Sequence, residues 1–400
     1  MSVPNPQPRA PLGLLAALTA TGPFTLNIYL PVMPYAQHAL RASVSATSLT
    51  LSAALIAFAV GILFCGPLSD RVGRRPVILG GLVVFACGSA LAMLAPSVGW
   101  LIVARVVQAL GSATGITIAR AIVGDLYPRA ALARTIAQLT MVMASANAVA
   151  PLIGGAIVEL LQWRAIFALL LIAAAGLWLW AVRALPETRA SSTPHADAAT
   201  LIRAAVGVAR RPVFLDCVLH SAVLYSSFFV FVSLMPYVLR DGLHRGATEY
   251  GRWYLLIAGG YFLGNYLTVR FGARTHPARL RGAGITLQAA GALVAFLLVR
   301  FGAWHPAFIF VPWAFISTGQ GLTLPGLVAD AVALAPEWAG TASGLLGFSQ
   351  QLSGAIAVQF MSAAPTDTPL PVAGFVLAVT AIGWLVLFVA PRRTSVAATG

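Results

Sequence analysis

Apolar residues in this chain gather into runs of membrane length, at residues 11–34, 47–65, 77–96, 99–122, 135–158, 163–182, 213–238, 249–269, 281–300, 304–327, 340–362 and 370–390. Each run comes close to the ~20 residues that a helix needs to cross a bilayer core. Between them, Pro, Gly or charge clusters break the pattern, as at Ala95-Pro96-Ser97, Tyr127-Pro128-Arg129, Gln162-Trp163-Arg164 and Ala364-Pro365-Thr366-Asp367. The pattern predicts an all-α membrane protein of twelve transmembrane helices. The longest polar stretch, holding Ser191-Ser192-Thr193-Pro194-His195, lies halfway along the chain. Residues 184–211 are therefore expected to link two six-helix bundles, 1–183 and 212–400.

Composition agrees with that class: 59% of residues are hydrophobic and 9% charged, against roughly 45–50% and about 25% in soluble domains. All 25 basic residues are arginine and the net charge is +14. In a soluble chain such a balance raises nucleic-acid binding, but no basic stripe interleaved with aromatics on a polar face is present. The arginines instead follow alternate loops. Arg9, Arg71, Arg74, Arg75, Arg129, Arg134, Arg183, Arg189, Arg203, Arg210, Arg211, Arg270, Arg274, Arg279, Arg281, Arg392 and Arg393 fall on one side; Arg41, Arg164, Arg240, Arg245, Arg252 and Arg300 fall on the other. The positive-inside rule makes the first side cytoplasmic, with both termini there. The run from Pro11 to about Pro34 is longer than a signal-peptide core and is expected to be the first, uncleaved helix. Cys65, Cys87 and Cys217 have no metal-ligand spacing and are expected to be small buried hydrophobes.

A faint repeat joins the halves. Gly115-Ile116-Thr117-Ile118 leads to Asp125, and Gly321-Leu322-Thr323-Leu324 leads to Asp330, each in the fourth span of its half.

The densest chemistry lies between the second and third runs, where Gly66, Leu68, Asp70, Arg71, Gly73, Arg74 and Arg75 are packed into ten residues. Charge at the hydrocarbon centre costs ~2.5–3.5 kcal/mol per residue, so this knot is expected in a loop at the bilayer surface. Gly66 would allow close helix approach and Gly73 a tight turn. Asp70 can pair with arginines, and Asp125 at the end of the fourth span is an expected mate for Arg74 or Arg75. The spacing G-x-L-x-D-R-x-G-R-[KR] resembles the loop signature of the major facilitator superfamily. Further stretches look like its bicyclomycin-resistance (Bcr/CflA) drug-efflux subfamily: Asn27-Ile28-Tyr29-Leu30-Pro31, Arg105-x-x-Gln108-Ala-x-Gly111, Ala119-Arg120-Ala121-Ile122-Val123-Gly124-Asp125-Leu126-Tyr127, Ala150-Pro151-x-x-Gly154-Gly155 and Leu185-Pro186-Glu187-Thr188. The resemblance is dense in the first half and thin afterwards. It implies two bundles rocking about a central site and proton-driven export of small drugs from a bacterial inner membrane. Pro151, Gly154 and Gly155 are similar to the antiporter signature, which implies a fifth helix that bends and seals against a neighbour.

The chain departs from the subfamily at one point: Asn27 stands where an Asp is usual, and an amide carries no titrating proton although it can hydrogen-bond a substrate. Arg105 lies within a span and needs an acceptor: backbone carbonyls, Gln108, Asn27, a bound anion or the substrate. Asp216 and His220, four apart on the seventh span, read first as an interfacial ion pair and second as an alternative proton carrier. Glu159 and Glu249 are expected to be solvated at outer ends. Tyr29, Asn147, Tyr225, Phe228, Phe229, Trp313 and Gln320 are candidate walls of a drug-sized pocket. With no lysine to complete a P-loop, ATP-driven pumping is not expected. The expectation is a monomeric secondary exporter, not an enzyme, using the proton and no other cofactor. Its partners would be a small molecule and the lipid bilayer, not nucleic acid. An uptake carrier or uniporter for a small metabolite and a non-transporting membrane sensor are the alternatives.

Overall fold

The computed structural model describes residues 10–188, 198–272, 274–302, 304–334 and 338–389. Expectations that fall on Arg9, Arg189, the Ser191–His195 stretch, Arg392 and Arg393 lie outside them. No strand occurs among the described residues. The first span is not one straight helix: α1 (Leu12–Ile28) gives way to a 3-10 turn at Leu30–Val32 and then to α2 (Met33–Ala39). Pro31 and Pro34 lack the N–H groups an uninterrupted helix would use, which accounts for the bend. Four helices follow: α3 (Val44–Val72), α4 (Arg74–Met93), α5 (Val98–Leu126) and α6 (Arg129–Leu160). The first half closes with α7 (Ala165–Ala184). A short α8 (Ala198–Ala209) occupies part of the expected linker. The second half is α9 (Pro212–Tyr237), extended by a π turn at Val238–Gly242, then α10 (Ala247–Gly272), α11 (Pro277–Arg300), α12 (Pro306–Ala333), α13 (Ala339–Met361) and α14 (Leu370–Val389).

The charged knot is not an extended loop. α3 stays helical through Asp70, Arg71 and Val72, and Gly73 alone makes the turn into α4. Its φ of 114° is a backbone state that glycine adopts without strain. Glu187, just past α7, then caps α4: its carboxylate accepts from the backbone N–H of Arg74 at 2.9 Å and of Arg75 at 3.2 Å. An anion at the positive end of a helix is stabilising there.

Ten described helical segments, counting α1 and α2 as one, are long and apolar enough to cross a membrane. The more polar α10 and α13 complete the twelve. α10 packs on α6 and α13 on α3, across the two halves, which gives residues such as Tyr250, Tyr254 and Gln350 a buried place. The repeat is visible in packing as well as sequence. In the first half a Cβ at Gly88 of α4 would stand 2.4 Å from the Gln108 backbone nitrogen of α5. In the second, one at Gly319 of α12 would stand 2.4 Å from the Gly284 carbonyl oxygen of α11. Small residues let the third and fourth spans of each half touch backbone to backbone.

Buried apolar residues form one core spanning both halves at one end and mid-depth, with members from Leu26, Leu55 and Phe167 to Tyr254, Phe310 and Val376. At the other end, where the arginine-rich turns lie, the core divides. Leu14, Ile78 and Ile122 belong to a cluster of the first half alone, and Phe214, Leu327 and Leu346 to a cluster of the second alone. The halves are thus joined at the arginine-poor end and separate at the arginine-rich end.

Candidate functional site

Arg105 sits at the middle of the first half, on α5, and is 1% exposed. One guanidinium nitrogen donates to Gln108 Oε1 at 2.5 Å, one turn along the same helix. Gln108 Nε2 donates in turn to Ser89 Oγ of α4 at 2.8 Å, and Ser89 donates to the Phe85 carbonyl. The guanidinium carbon lies 4.6 Å from the centre of the Tyr29 ring, a cation–π contact in a water-poor setting. Tyr29 is held by Thr50 of α3, the two hydroxyls 3.0 Å apart, and by Phe167 of α7 at 5.8 Å. Nε and Nη2 of Arg105 are buried without a partner. A buried guanidinium with no carboxylate and two open donor positions is an anion or carbonyl receptor in waiting. Of the acceptors the sequence left open, Gln108 is therefore the one taken.

Asn27 serves a different junction. Its Nδ2 donates to the Pro23 carbonyl at 2.8 Å, while its Oδ1 accepts from the Tyr254 hydroxyl of α10 at 3.1 Å. This bond crosses between halves at mid-depth, and Tyr254 is 4% exposed. Sequence reasoning missed Tyr254, since nothing local marks which tyrosine of α10 will face α1.

Above that junction the seam is built on backbone proximity. A Cβ at Gly154 would fall 2.1 Å from the Ile28 carbonyl of α1, and one at Gly155 would fall 2.4 Å from the Ala247 carbonyl of α10. Pro151, three and four residues earlier, sits inside α6 against Gly251 of α10. The element expected to seal against one neighbour is thus wedged against two, one from each half. Glu159, expected to be solvated, bridges the halves: it accepts from the Thr248 backbone N–H at 3.0 Å and from the Thr248 hydroxyl. Glu249 is half-buried and meets Arg245 at 3.8 Å and Trp253 at 3.3 Å. His38 faces Asp241 at 3.6 Å, Tyr35 lies under Arg240 at 4.3 Å, and Ser45 meets Gln359 and Ser362 at 2.9 and 3.1 Å.

At the arginine-rich end each half carries its own ion cluster. Arg74 pairs with Asp70 at 2.5 Å and Asp125 at 3.1 Å, so the expected mate is found, and Arg75 donates to the Val182 carbonyl at 2.8 Å. Arg71 lies in the last turn of α3. In the second half Arg281 meets Asp216 at 3.1 Å and Asp330 at 3.7 Å, and Asp216 meets His220 at 3.2 Å. Arg74 and Arg281 open the third span of their halves and Asp125 and Asp330 close the fourth. The short sequence repeat therefore marks a repeated charge cluster.

Two expectations need correction, those for Gly66 and Cys87, and the candidate pocket walls take the following places. Gly66 is not a point of tight approach: the nearest atom to a Cβ there is Thr117 Cγ2 at 3.8 Å, and α3 instead meets α5 closely at Gly61, 2.6 Å from Ala113. Trp313 stacks on Phe231 at 3.7 Å inside the second bundle, where it lines a small apolar cavity with Met235 and Val376, away from Asn27 and Arg105. Tyr225, Phe228 and Phe229 do share a face, with ring contacts of 6.0 and 5.3 Å, but Phe229 packs into Gly354 of α13. Gln320 is 6% exposed and donates to the Leu224 carbonyl at 3.3 Å. Asn147 is half-buried on α6 with its oxygen unpartnered. Cys87 is exposed, not buried.

Residues 15–358 match the sequence profile of the Major Facilitator Superfamily. The chain belongs to that superfamily. As a major facilitator protein it is a multi-pass membrane transporter, and several of its relatives are named for drug resistance. It is 28% identical over 352 residues to "Multidrug resistance protein D" of Escherichia coli, 88% of each chain being covered. It is 32% identical over 273 residues to the "Chloramphenicol resistance protein" of Pseudomonas aeruginosa, covering 67% of this chain and 61% of that one. The superfamily fold also appears in a POT family transporter crystallised with 5-aminolevulinic acid, at a TM-score of 0.75 and 14% identity over 94% of both chains.

Proposed function

We propose that this major facilitator protein exports small drugs of the amphenicol or bicyclomycin type from the cytoplasm by proton antiport. In this reading it sits in a bacterial inner membrane as a monomer with both termini cytoplasmic. The observation that carries it is Arg105: a membrane-buried guanidinium with two open donor positions, beside the Tyr29 ring. Amphenicols offer carbonyl, hydroxyl and aromatic groups that such a site can hold. With the arginine-rich end cytoplasmic, the divided core at that end is the path by which a drug enters. The joined core at the opposite end is the closed outer gate.

A uniporter is the second reading, favoured by one observation: Asn27 is not titratable and its oxygen is already held by Tyr254. Radiolabelled chloramphenicol uptake into proteoliposomes with an acidic lumen separates the two. Accumulation above equilibrium, removed by a protonophore, supports antiport; equilibration alone supports uniport. No protein-dependent flux of chloramphenicol or bicyclomycin would count against both.

A further inference from the structure

The two ion clusters differ in one respect. Among the described residues, only the second contains an imidazole. His220 lies one turn beyond Asp216 on α9, is 3% exposed, and sets Nδ1 3.2 Å from Asp216 Oδ1 and 3.0 Å from the Asp216 carbonyl. Both Nδ1 neighbours are oxygens, so Nδ1 carries a hydrogen and donates. In the neutral ring Nε2 is then a lone pair, and it is buried without a hydrogen-bond partner.

His220 also lines a small cavity with room for about one water. It is lined by His220, Leu224, Ile285, Gln288, Thr323 and Thr380, from α9, α11, α12 and α14. Thr380 spends its hydrogen on the Val376 carbonyl at 2.7 Å, and Thr323 spends its own on the Gly319 carbonyl at 2.8 Å. Thr323 Oγ1 also accepts from Gln288 Nε2 at 3.2 Å, so it is Thr380 that keeps an acceptor lone pair for the cavity. The Thr380 oxygen and the His220 Nε2 lone pair are acceptors, which a water can bridge and a protonated ring can use from the other side. The titratable or charged neighbours are Asp216 and Cys217 on α9, Arg281 on α11 and Asp330 on α12. α14 presents Thr380 and Gly383, and α13 presents Ala342 and Leu346 to the same region.

We propose that His220 is the proton-binding residue of the transport cycle, taking the place of the carboxylate that Asn27 lacks. This rests on the antiport reading. The proton arrives at Nε2 from the cavity water, and the imidazolium formed is held between the Asp216 carboxylate and that water, itself held on the Thr380 oxygen. Asp216 is only partly buried, so the site communicates with the arginine-rich surface. Arg281, already on the other Asp216 oxygen, competes for that carboxylate; when it takes both oxygens the imidazolium loses its counter-ion and returns the proton to water.

Two measurements on the full chain test this. The first is NMR of the purified protein labelled with 15N-histidine. The chain has six histidines, and His220 is the one whose resonances vanish in His220→Asn. The site requires its Nε2 resonance to move between the neutral and protonated positions as pH is varied over the range in which the protein transports; a resonance fixed across that range overturns the proposal. The second is chloramphenicol accumulation driven by an acidic lumen in proteoliposomes. Asn retains a donor for Asp216 but binds no proton. His220→Asn is expected to bring the accumulation ratio down to one while equilibration continues. Undiminished accumulation by His220→Asn refutes the proton site and leaves antiport standing. A wild-type chain that only equilibrates refutes antiport and with it this proposal. If His220→Asn fails to fold, Asp216→Asn takes its place, with the same loss of accumulation expected.

Discussion

At the residue scale, the sequence pointed to Arg105 and to Gln108 among its possible acceptors, but not to the ring beside it. A guanidinium inside an apolar run announces a functional group wherever it sits, so its importance was legible. Its place over Tyr29 was not, because the cation–π contact depends on how the residues after α1 lean on α5. Arg105→Ala is expected to reduce chloramphenicol transport in proteoliposomes to the protein-free background. It also leaves Gln108 Oε1 buried without its donor, a cost of about 1–3 kcal/mol. Arg105→Lys restores charge but not the planar fork and is expected to recover little. Arg105→Ala transporting at the wild-type rate removes Arg105 from the binding site. Tyr254→Phe removes the one cross-half bond of Asn27 and is expected to lower stability in detergent by about 1 kcal/mol, read as a lower thermal midpoint.

At the element scale, α6 shows what a sequence motif does and does not disclose. Pro151-x-x-Gly154-Gly155 foretells a helix that bends and packs tightly, since Pro and Gly say so in any context. That Gly154 faces α1 while Gly155 faces α10 follows only from assembly, because adjacent residues on a helix point about 100° apart and either face could have met lipid. Helix faces misled elsewhere for the same reason: Trp313 looked like a pocket wall but turns into the second bundle against Phe231. The helix limits were harder still to read. Charge at Asp70 and Arg71 suggested a loop, yet α3 continues past them because Arg74 supplies Asp70 with a counter-ion and Gly73 completes the turn in one residue. Gly155→Val forces a side chain into the Ala247 carbonyl and is expected to pry α6 from α10. A cysteine placed at Thr248 would then react with a water-soluble maleimide several-fold faster than in the Gly155 background. An unchanged labelling rate means that α6 and α10 separate without regard to this contact.

At the scale of the whole molecule, twelve spans and two halves were legible because they depend on run length and on a linker, quantities that need no tertiary information. The asymmetry of closure was not. It emerges from contacts between distant residues: Glu159 with Thr248, Ser45 with Ser362, His38 with Asp241. All three lie at the arginine-poor end, which makes that end a gate whose state can be fixed chemically. Ser45 and Ser362 bring their oxygens to 3.1 Å, from α3 and from just past α13, and neither belongs to the Arg105 site. With Cys87, the exposed native thiol, replaced by Ala, Ser45→Cys with Ser362→Cys is expected to form a disulfide on mild oxidation. Transport by the oxidised protein should fall at least tenfold and return on reduction, because a carrier held closed at one end cannot complete a cycle about a central site. The single variants control for the substitutions themselves and should transport alike with and without oxidant. Transport that continues with the disulfide intact would mean the halves do not part at this end, and that drug leaves by some route other than between α3 and α13.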